Sequence, residues 1–393
     1  MKKLAFVIGS PTPDHAPLFR EISQTCPEID LTVCFCSDFG VKKPGYDANF
    51  GQEIKWDVPL LDGYKSRFLK NLSFKSSIDG FWGLINPGII LELWQNDYDA
   101  VLIDGYSSLA NWFSFLGAWL SGTAIIFRGE SDLSNKRPFL LKILKKIVLT
   151  PLFKGVRAFL YSCQRNKDYF LHYGVSADKL FFFPSAADNS YWQKKISEIK
   201  GRELEMKKNL GISIDSQVVL YVGNLAPLKR PMDLLSAFEV ITDAGLDASL
   251  VFVGEGRELP KMKDYAEKKG IKNIVFAGFR NQSELPYFYA MADVMVLASE
   301  WDRSPKVFNE AMNFGIPLIA TDTIGTAFDL FSDGRAGLIY PMGDVSGLVS
   351  CLKKILGDRE LAAKMQKASF ELSLKWSFQG DINGLAKAIE SLK

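Results

Sequence analysis

Two carboxylates and a basic pair are the groups whose types and spacing suit chemistry. Asp302 and Glu310 are separated by seven residues in the run Glu300-Trp-Asp-Arg-Ser-Pro-Lys-Val-Phe-Asn-Glu310, which follows the apolar run VMVLAS and precedes Gly315-Ile-Pro317. That spacing sets one acid on a loop and the other near the start of a helix. A carboxylate that accepts two hydrogen bonds suits the cis-diol of a ribose, and one nearer the loop suits the hydroxyls of a sugar. Upstream, Tyr221-Val-Gly223-Asn224-Leu-Ala-Pro-Leu-Lys229-Arg230-Pro231 reads as a strand, a glycine turn, a basic pair and a helix. A helix that opens at the carboxyl edge of a sheet offers unpaired N–H groups and its positive dipole end to anions. Lys229 and Arg230 either add charge there for a diphosphate or form a solvated pair before a helix started by proline. Gly254 and Gly278 close two more strand-like runs; each fits a ligand brought close to the backbone, a planar base beside Gly278 and Phe279 for instance, or an ordinary turn.

In the first half, His15 lies after the first strand-like run and is a candidate contact to acceptor or phosphate. Asp104 ends the run AVLIDG, and Arg128 and Glu130 end another at TAIIFRGE. These are acceptor-side candidates, Arg128 and Glu130 either as substrate contacts or as a salt bridge that orders the loop. His172, the second of the two histidines, reads as structural. Between Lys136 and Arg157 stand seven basic residues and no acidic one, interleaved with Phe, Leu and Ile. Such a stretch lies on an anionic membrane surface or packs as a helix with solvated lysines.

These groups need a scaffold. A chain of 393 residues with 47% apolar content holds two α/β domains with a packed core each. Apolar runs at 4–9, 31–36, 100–105, 123–127, 157–162 and 179–184, then at 217–223, 249–254, 273–278, 294–299 and 317–321, alternate with helix-period segments. Runs apolar on both faces indicate parallel sheets covered on both sides. The expected architecture is two Rossmann-like doubly wound domains facing a central cleft. The expected domains are 1–195 and 203–376, joined by the polar segment Lys194–Lys208 as a linking helix or hinge; a last helix near 377–393 packs back on the first or stays on the surface. The net charge of +2 does not suggest nucleic acid, and the five scattered cysteines form no disulfide framework and point to a reducing cytoplasm. The opening MKKLAFVIGSPTPD lacks a signal peptide's length and reads as a buried strand. Residues 105–127 carry no charge, but their serines and glycines favour a helix and a strand over a membrane span.

The second half resembles the donor domain of GT-B retaining glycosyltransferases of family 4, bacterial glycosyl transferases group 1. VGNLAPLKRP, VGEG, FAGF, the acid-x7-Glu block ending NEAMNFGIPLIATD, and Asp333-Gly334 before AGLIYPMGD carry the resemblance. It implies that Lys229 contacts the donor diphosphate and Glu310 the ribose. It also implies that Asp302, with Ser304, Pro305, Lys306 and Val307, faces the transferred sugar, and that Gly223, Asn224, Arg230, Gly254, Gly278 and Phe279 line the donor. Asn224 replaces the family's usual arginine, and Asp302 its usual glutamate. A weaker likeness to bacterial members covers SPTPDHAPLFREI, WDVPLLDGY, RGES and FFFPSAADNSYW.

The implied reaction moves a sugar, with retention, from a nucleotide diphosphate sugar to a hydroxyl of a saccharide, lipid-linked or small-molecule acceptor. The donor is a substrate, and no cofactor or metal is expected. Rival readings are a non-catalytic or regulatory nucleotide-sugar binder and a GT-B epimerase. A dinucleotide oxidoreductase is disfavoured, because IGSPTPDH stands where G-x-G-x-x-G is required.

Overall fold

Runs that are apolar on both faces become the central strands of two parallel sheets in the computed structural model, which describes residues 1–41, 44–47, 50–78, 80–134 and 138–392. From the N-terminus come β1 (Lys2–Ile8), α1 (Ala16–Thr25), β2 (Ile29–Phe35), β3 (Gly45–Asp47), β4 (Gln52–Ile54), β5 (Lys65–Phe68) and α2 (Gly88–Gln95). Then follow β6 (Ala100–Asp104), α3 (Leu109–Ser121), β7 (Ala124–Arg128), α4 (Phe139–Lys154), β8 (Ala158–Tyr161), α5 (Gln164–His172), β9 (Leu180–Phe182) and α6 (Asn189–Ile199). After α7 (Glu203–Asn209) the pattern restarts with β10 (Gln217–Val222), α8 (Pro231–Asp243), β11 (Ala248–Val253), α9 (Leu259–Lys269), β12 (Ile274–Gly278), α10 (Leu285–Ala290) and β13 (Val294–Leu297). The chain ends with α11 (Lys306–Asn313), β14 (Leu318–Thr321), α12 (Ala327–Phe331), β15 (Gly337–Tyr340), α13 (Val345–Gly357), α14 (Arg359–Lys375) and α15 (Phe378–Glu390).

Unit 1 comprises residues 1–45, 58–185 and those from Phe378 on. Its sheet has the order β5-β2-β1-β6-β7-β8-β9 with every pair parallel. Helices α2 to α5 cover one face through Ile89, Phe115, Phe153 and Phe170; α1 and α15 cover the other through Phe19, Ile22 and Leu385. The charge-free stretch becomes α3 and β7. Ser108 and Asn111 form a capping box at the start of α3, and Gly122 in the left-handed conformation ends it after thirteen residues. Among the described residues no helix is long and apolar enough to cross a membrane.

Unit 2 comprises residues 46–57 and 186–377. Its parallel sheet has the order β12-β11-β10-β13-β14-β15, and β3 and β4 form a two-stranded sheet of their own. The expected second domain began at 203, whereas this unit also takes in α6, whose buried Trp192 meets Tyr289 and Phe314 edge to face. The added strands are those with weak sequence signals. β5 is an exposed Lys-Ser-Arg-Phe edge, and β3, β4 and β15 have three or four residues each.

In each sheet the strand order reverses once beside the first strand, between β1 and β6 in unit 1 and between β10 and β13 in unit 2. At such a point the two flanking loops diverge and leave room for a ligand beyond the strand ends.

Candidate functional site

In unit 2 the reversal brings together the loops after β10 and β13, which carry Lys229 and Asp302. Lys229 Nζ donates to Asp302 Oδ2 at 2.5 Å, with the two side chains only 25% and 17% exposed. The loops are also tied through their backbones, Glu300 N–H donating to Leu228 O at 2.8 Å. On the far side, Gly325 N–H donates to Asp302 O at 2.8 Å, and Asp302 bridges to Ile324. The acid is thus held between the Lys229 loop and the segment at Ile324–Gly325, of which only the second is unmarked in the sequence.

Arg230 adopts a left-handed conformation (φ 48°) just before α8 and turns onto that helix's first turn. It donates to both oxygens of Asp233, at 2.7 and 3.2 Å. The hydrogen bond and charge of Asp233 raise the guanidinium's pKa. Gly223 and Asn224 form the turn after β10, where the Tyr221 hydroxyl donates to Asn224 O at 2.8 Å. Asn224 Oδ1 is buried and makes no hydrogen bond among the described residues. Gly254 closes the turn from the β11 side at φ 141°, where a Cβ would lie 1.9 Å from Gly223 O; only glycine lets the two turns meet.

Gly278 ends β12, accepting from Gly254 N–H at 2.8 Å, and Phe279 follows. Phe279 meets Phe50 edge to face at 5.2 Å and Trp56 at 6.4 Å, both from the 46–57 segment of the first half. Asn281 donates to Lys55 O at 2.7 Å, and Ser283 binds the Asp57 carboxylate. The sequence reading missed this cover, whose only sign was three aromatics, Tyr46, Phe50 and Trp56, in a largely polar stretch.

Ser304 and Pro305 lead into α11, where Lys306, Val307 and Glu310 lie. Glu310 is only 3% exposed and accepts from the Tyr289 hydroxyl of α10 at 2.5 Å. Its neighbour Asn309 donates to Trp376 O at 3.1 Å and accepts from Ala187 N–H, anchoring α11 within the unit. Trp301 and Arg303, on either side of Asp302, were not singled out from the sequence. The Arg303 guanidinium stacks 4.1 Å over the Trp301 ring, and Trp301 Nε1 and Arg303 Nε are buried without a hydrogen-bond partner among the described residues. The alternation Trp-Asp-Arg was the available signal.

In unit 1, His15 stands at the start of α1 on the β1 side of the reversal. Its Nδ1 is 2.8 Å from the Thr12 hydroxyl, and its ring stacks on Phe19. Asp104, Arg128 and Glu130 come together as a salt-bridge network. Arg128 is 5% exposed and donates to Asp104 and Glu130 at 2.8 Å each and to Ser185 Oγ at 2.6 Å. Ser185 N–H donates in turn to the fully buried Asp381 of α15 at 2.7 Å. Burial works against the guanidinium's charge, but Asp104, Glu130 and Asp381 more than offset it, and its pKa is raised.

Among the described residues, no group of three or more His, Cys, Asp or Glu is placed to hold a metal ion. All five cysteines are free thiols, Cys34 and Cys36 deep within unit 1.

Residues 203–372 carry a Glycosyl transferases group 1 domain, by match to that family's model. The N-acetyl-alpha-D-glucosaminyl L-malate synthase of Bacillus anthracis is 30% identical over 169 residues, which are 42% of this chain and 43% of that protein. The D-inositol 3-phosphate glycosyltransferase of Corynebacterium jeikeium is 30% identical over 194 residues, 47% of this chain and 46% of that protein. The chain therefore spans less than half the length of these curated relatives. The crystal structure of HepE from Anabaena in complex with UDP and glucose covers all of both chains, with a TM-score of 0.75 at 16% identity. That likeness shows the fold, which is GT-B.

Proposed function

We propose that the chain is a retaining, metal-independent glycosyltransferase of family 4 that moves a sugar from a nucleotide diphosphate sugar to an acceptor hydroxyl, in the biosynthesis of polysaccharide, glycolipid or another glycoconjugate. The observation that carries the reading is the pairing of Lys229 with Asp302 at the point of strand reversal, inside the segment that matches the family.

In this reading the leaving diphosphate lies at the loop after β10. Lys229 exchanges its contact with Asp302 for one with the phosphate, and the N-termini of α8 and α11 face the developing charge. Asp302 then accepts from hydroxyls of the transferred sugar, and the Glu310 carboxylate, which Tyr289 orients, takes the ribose diol. The departing phosphate oxygen receives the acceptor's proton on the same face of the sugar, so no distant base is needed. His15, with the loop that Asp104, Arg128 and Glu130 order, serves the acceptor side.

A second reading, nucleotide-sugar binding without transfer, draws support from Asn224 and from the engagement of both basic residues by carboxylates, Lys229 by Asp302 and Arg230 by Asp233. A thermal-shift screen of UDP-, GDP-, ADP- and dTDP-sugars, followed by hydrolysis and transfer assays on each hit, separates the two. Stabilisation by at least one nucleotide sugar is expected, since a ligand that binds the native state raises the melting temperature by mass action. If none stabilises the protein, the donor site is refuted; binding without turnover across a broad acceptor panel selects the second reading.

A further inference from the structure

The first turns of α4 present their apolar residues on the side away from the core. Phe139, Leu140, Ile143, Leu144 and Ile147 recur at helical spacing on one stripe and are 41% to 77% exposed. Further along the helix, Leu149, Leu152 and Phe153 are buried, and they fall on the opposite stripe. Lys145 fixes this rotation. Its ammonium turns inward over the rings of Tyr169 at 4.7 Å, Tyr106 at 5.6 Å and Tyr173 at 5.8 Å, a cation–π clamp that ties α4 to α5 and to the loop after β6. An ordinary surface helix places its apolar stripe against its own domain. Here the inward stripe at this end carries lysine, and the outward one carries Phe, Leu and Ile.

The charges around the stripe have one sign. Lys142 and Lys146 are exposed beside it, and no acidic residue occurs in the sequence between Asp132 and Asp168. Lys136 and Arg137, which begin the basic stretch, lie outside the described residues. Apolar side chains flanked by lysines, with carboxylates absent, match the interface of a bilayer rich in anionic headgroups. The side chains enter the acyl boundary while the ammonium groups stay at headgroup level.

We propose that α4, over residues 139–148, is a docking surface for an anionic lipid membrane. The inference is independent of the transferase reading, because lipid binding is measured without donor or acceptor. The test is flotation of the full chain with phosphatidylcholine vesicles and with vesicles that also contain phosphatidylglycerol, across a salt series. Strong binding to the anionic vesicles that weakens as salt rises is expected. Lys142→Gln with Lys146→Gln should weaken it roughly thirtyfold. Leu144→Glu with Ile147→Glu should abolish it and leave the melting temperature unchanged, since both positions are solvent-exposed. Failure to float with anionic vesicles overturns the proposal, as does undiminished binding by the glutamate variant. Sedimentation showing a dimer that the glutamate pair dissociates also overturns it, by assigning the stripe to a second copy of the chain.

Discussion

Lys229 and Asp302 are joined at 2.5 Å across the strand reversal of unit 2, 73 positions apart in sequence. Each therefore sets the charge that the other offers to a ligand. A diphosphate approaching Lys229 must compete with the carboxylate, and a sugar hydroxyl approaching Asp302 finds an acceptor already shared.

The two partners should respond oppositely in nucleotide binding. Lys229→Met should weaken binding of the nucleotide diphosphate selected by the screen and lower kcat/KM by roughly a hundredfold or more, the scale of one lost donor to developing negative charge. Asp302→Asn removes the competing charge, so the same nucleotide should bind on the order of tenfold more tightly under surface-like screening, while transfer falls. Calorimetry with the nucleotide and initial rates measure the two effects. Weaker nucleotide binding in Asp302→Asn would refute the competition.

Glu310 and Tyr289 form a buried pair, so their variants should separate binding from stability. Glu310→Ala removes an acceptor from the proposed ribose site and should weaken nucleotide binding by about 1.5–3 kcal/mol, the range for hydrogen bonds to a charged group. Tyr289→Phe leaves the carboxylate in place and should cost about 1–2 kcal/mol of stability with smaller loss of binding. Nucleotide affinity and denaturant midpoints for the two variants decide the matter. Equal affinity in Glu310→Ala and the unaltered chain would remove the residue from the site.

Gly254 tests the contact between the two glycine turns. Its φ is 141°, and a methyl carbon on its Cα would stand 1.9 Å from Gly223 O, so there is no room for a side chain. Gly254→Ala should therefore cost roughly 3 kcal/mol, from backbone strain and overpacking together. A lowered urea midpoint for the transition of unit 2, with unit 1 unaffected, is the expected result.

These contacts differ in how far the sequence disclosed them. β10, β11 and β13 were legible because burial on both faces makes a strand a continuous apolar run, as in the wholly buried Ala248–Val253. The turns after those strands were legible too, since glycines and charges interrupt the runs abruptly. The Lys229–Asp302 contact was not, because strand order rather than local pattern decides which loops become neighbours. The cover of Phe279 by Phe50 and Trp56 was hidden for another reason. β3 and β4 have three residues each and no period to detect, and residues 46–57 join the unit built by the other half of the chain. Arg128 shows the converse limit. Its position after an apolar strand was plain, but its bond to Ser185 and the field of Asp381 come from segments far along the chain.

The thiols give a prediction with a pH sign. Burial pushes Cys34 and Cys36 up to about 12, so at pH 8 about one thiol in ten thousand is ionised at either site, and the thiolate is the reactive form. Iodoacetamide should leave both unmodified in the native chain and label both after unfolding, with mass spectrometry as the readout. Rapid native labelling at pH 8 would show that this side of the unit 1 core opens readily.

Arg128 makes the strongest claim on stability. It is the shared cation of Asp104 and Glu130, and Asp381 lies close enough to add to its field. Removing one partner of a buried ion network leaves uncompensated charge, at a cost of about 3–5 kcal/mol, so Arg128→Met should lower the unfolding midpoint of unit 1 strongly at pH 7. Urea midpoints of Arg128→Met and the unaltered chain measure that cost, and Arg128→Lys, which keeps the charge but not the forked contact to Asp104, Glu130 and Ser185, should recover part of it. A midpoint unchanged in Arg128→Met would refute the energetic weight of the network.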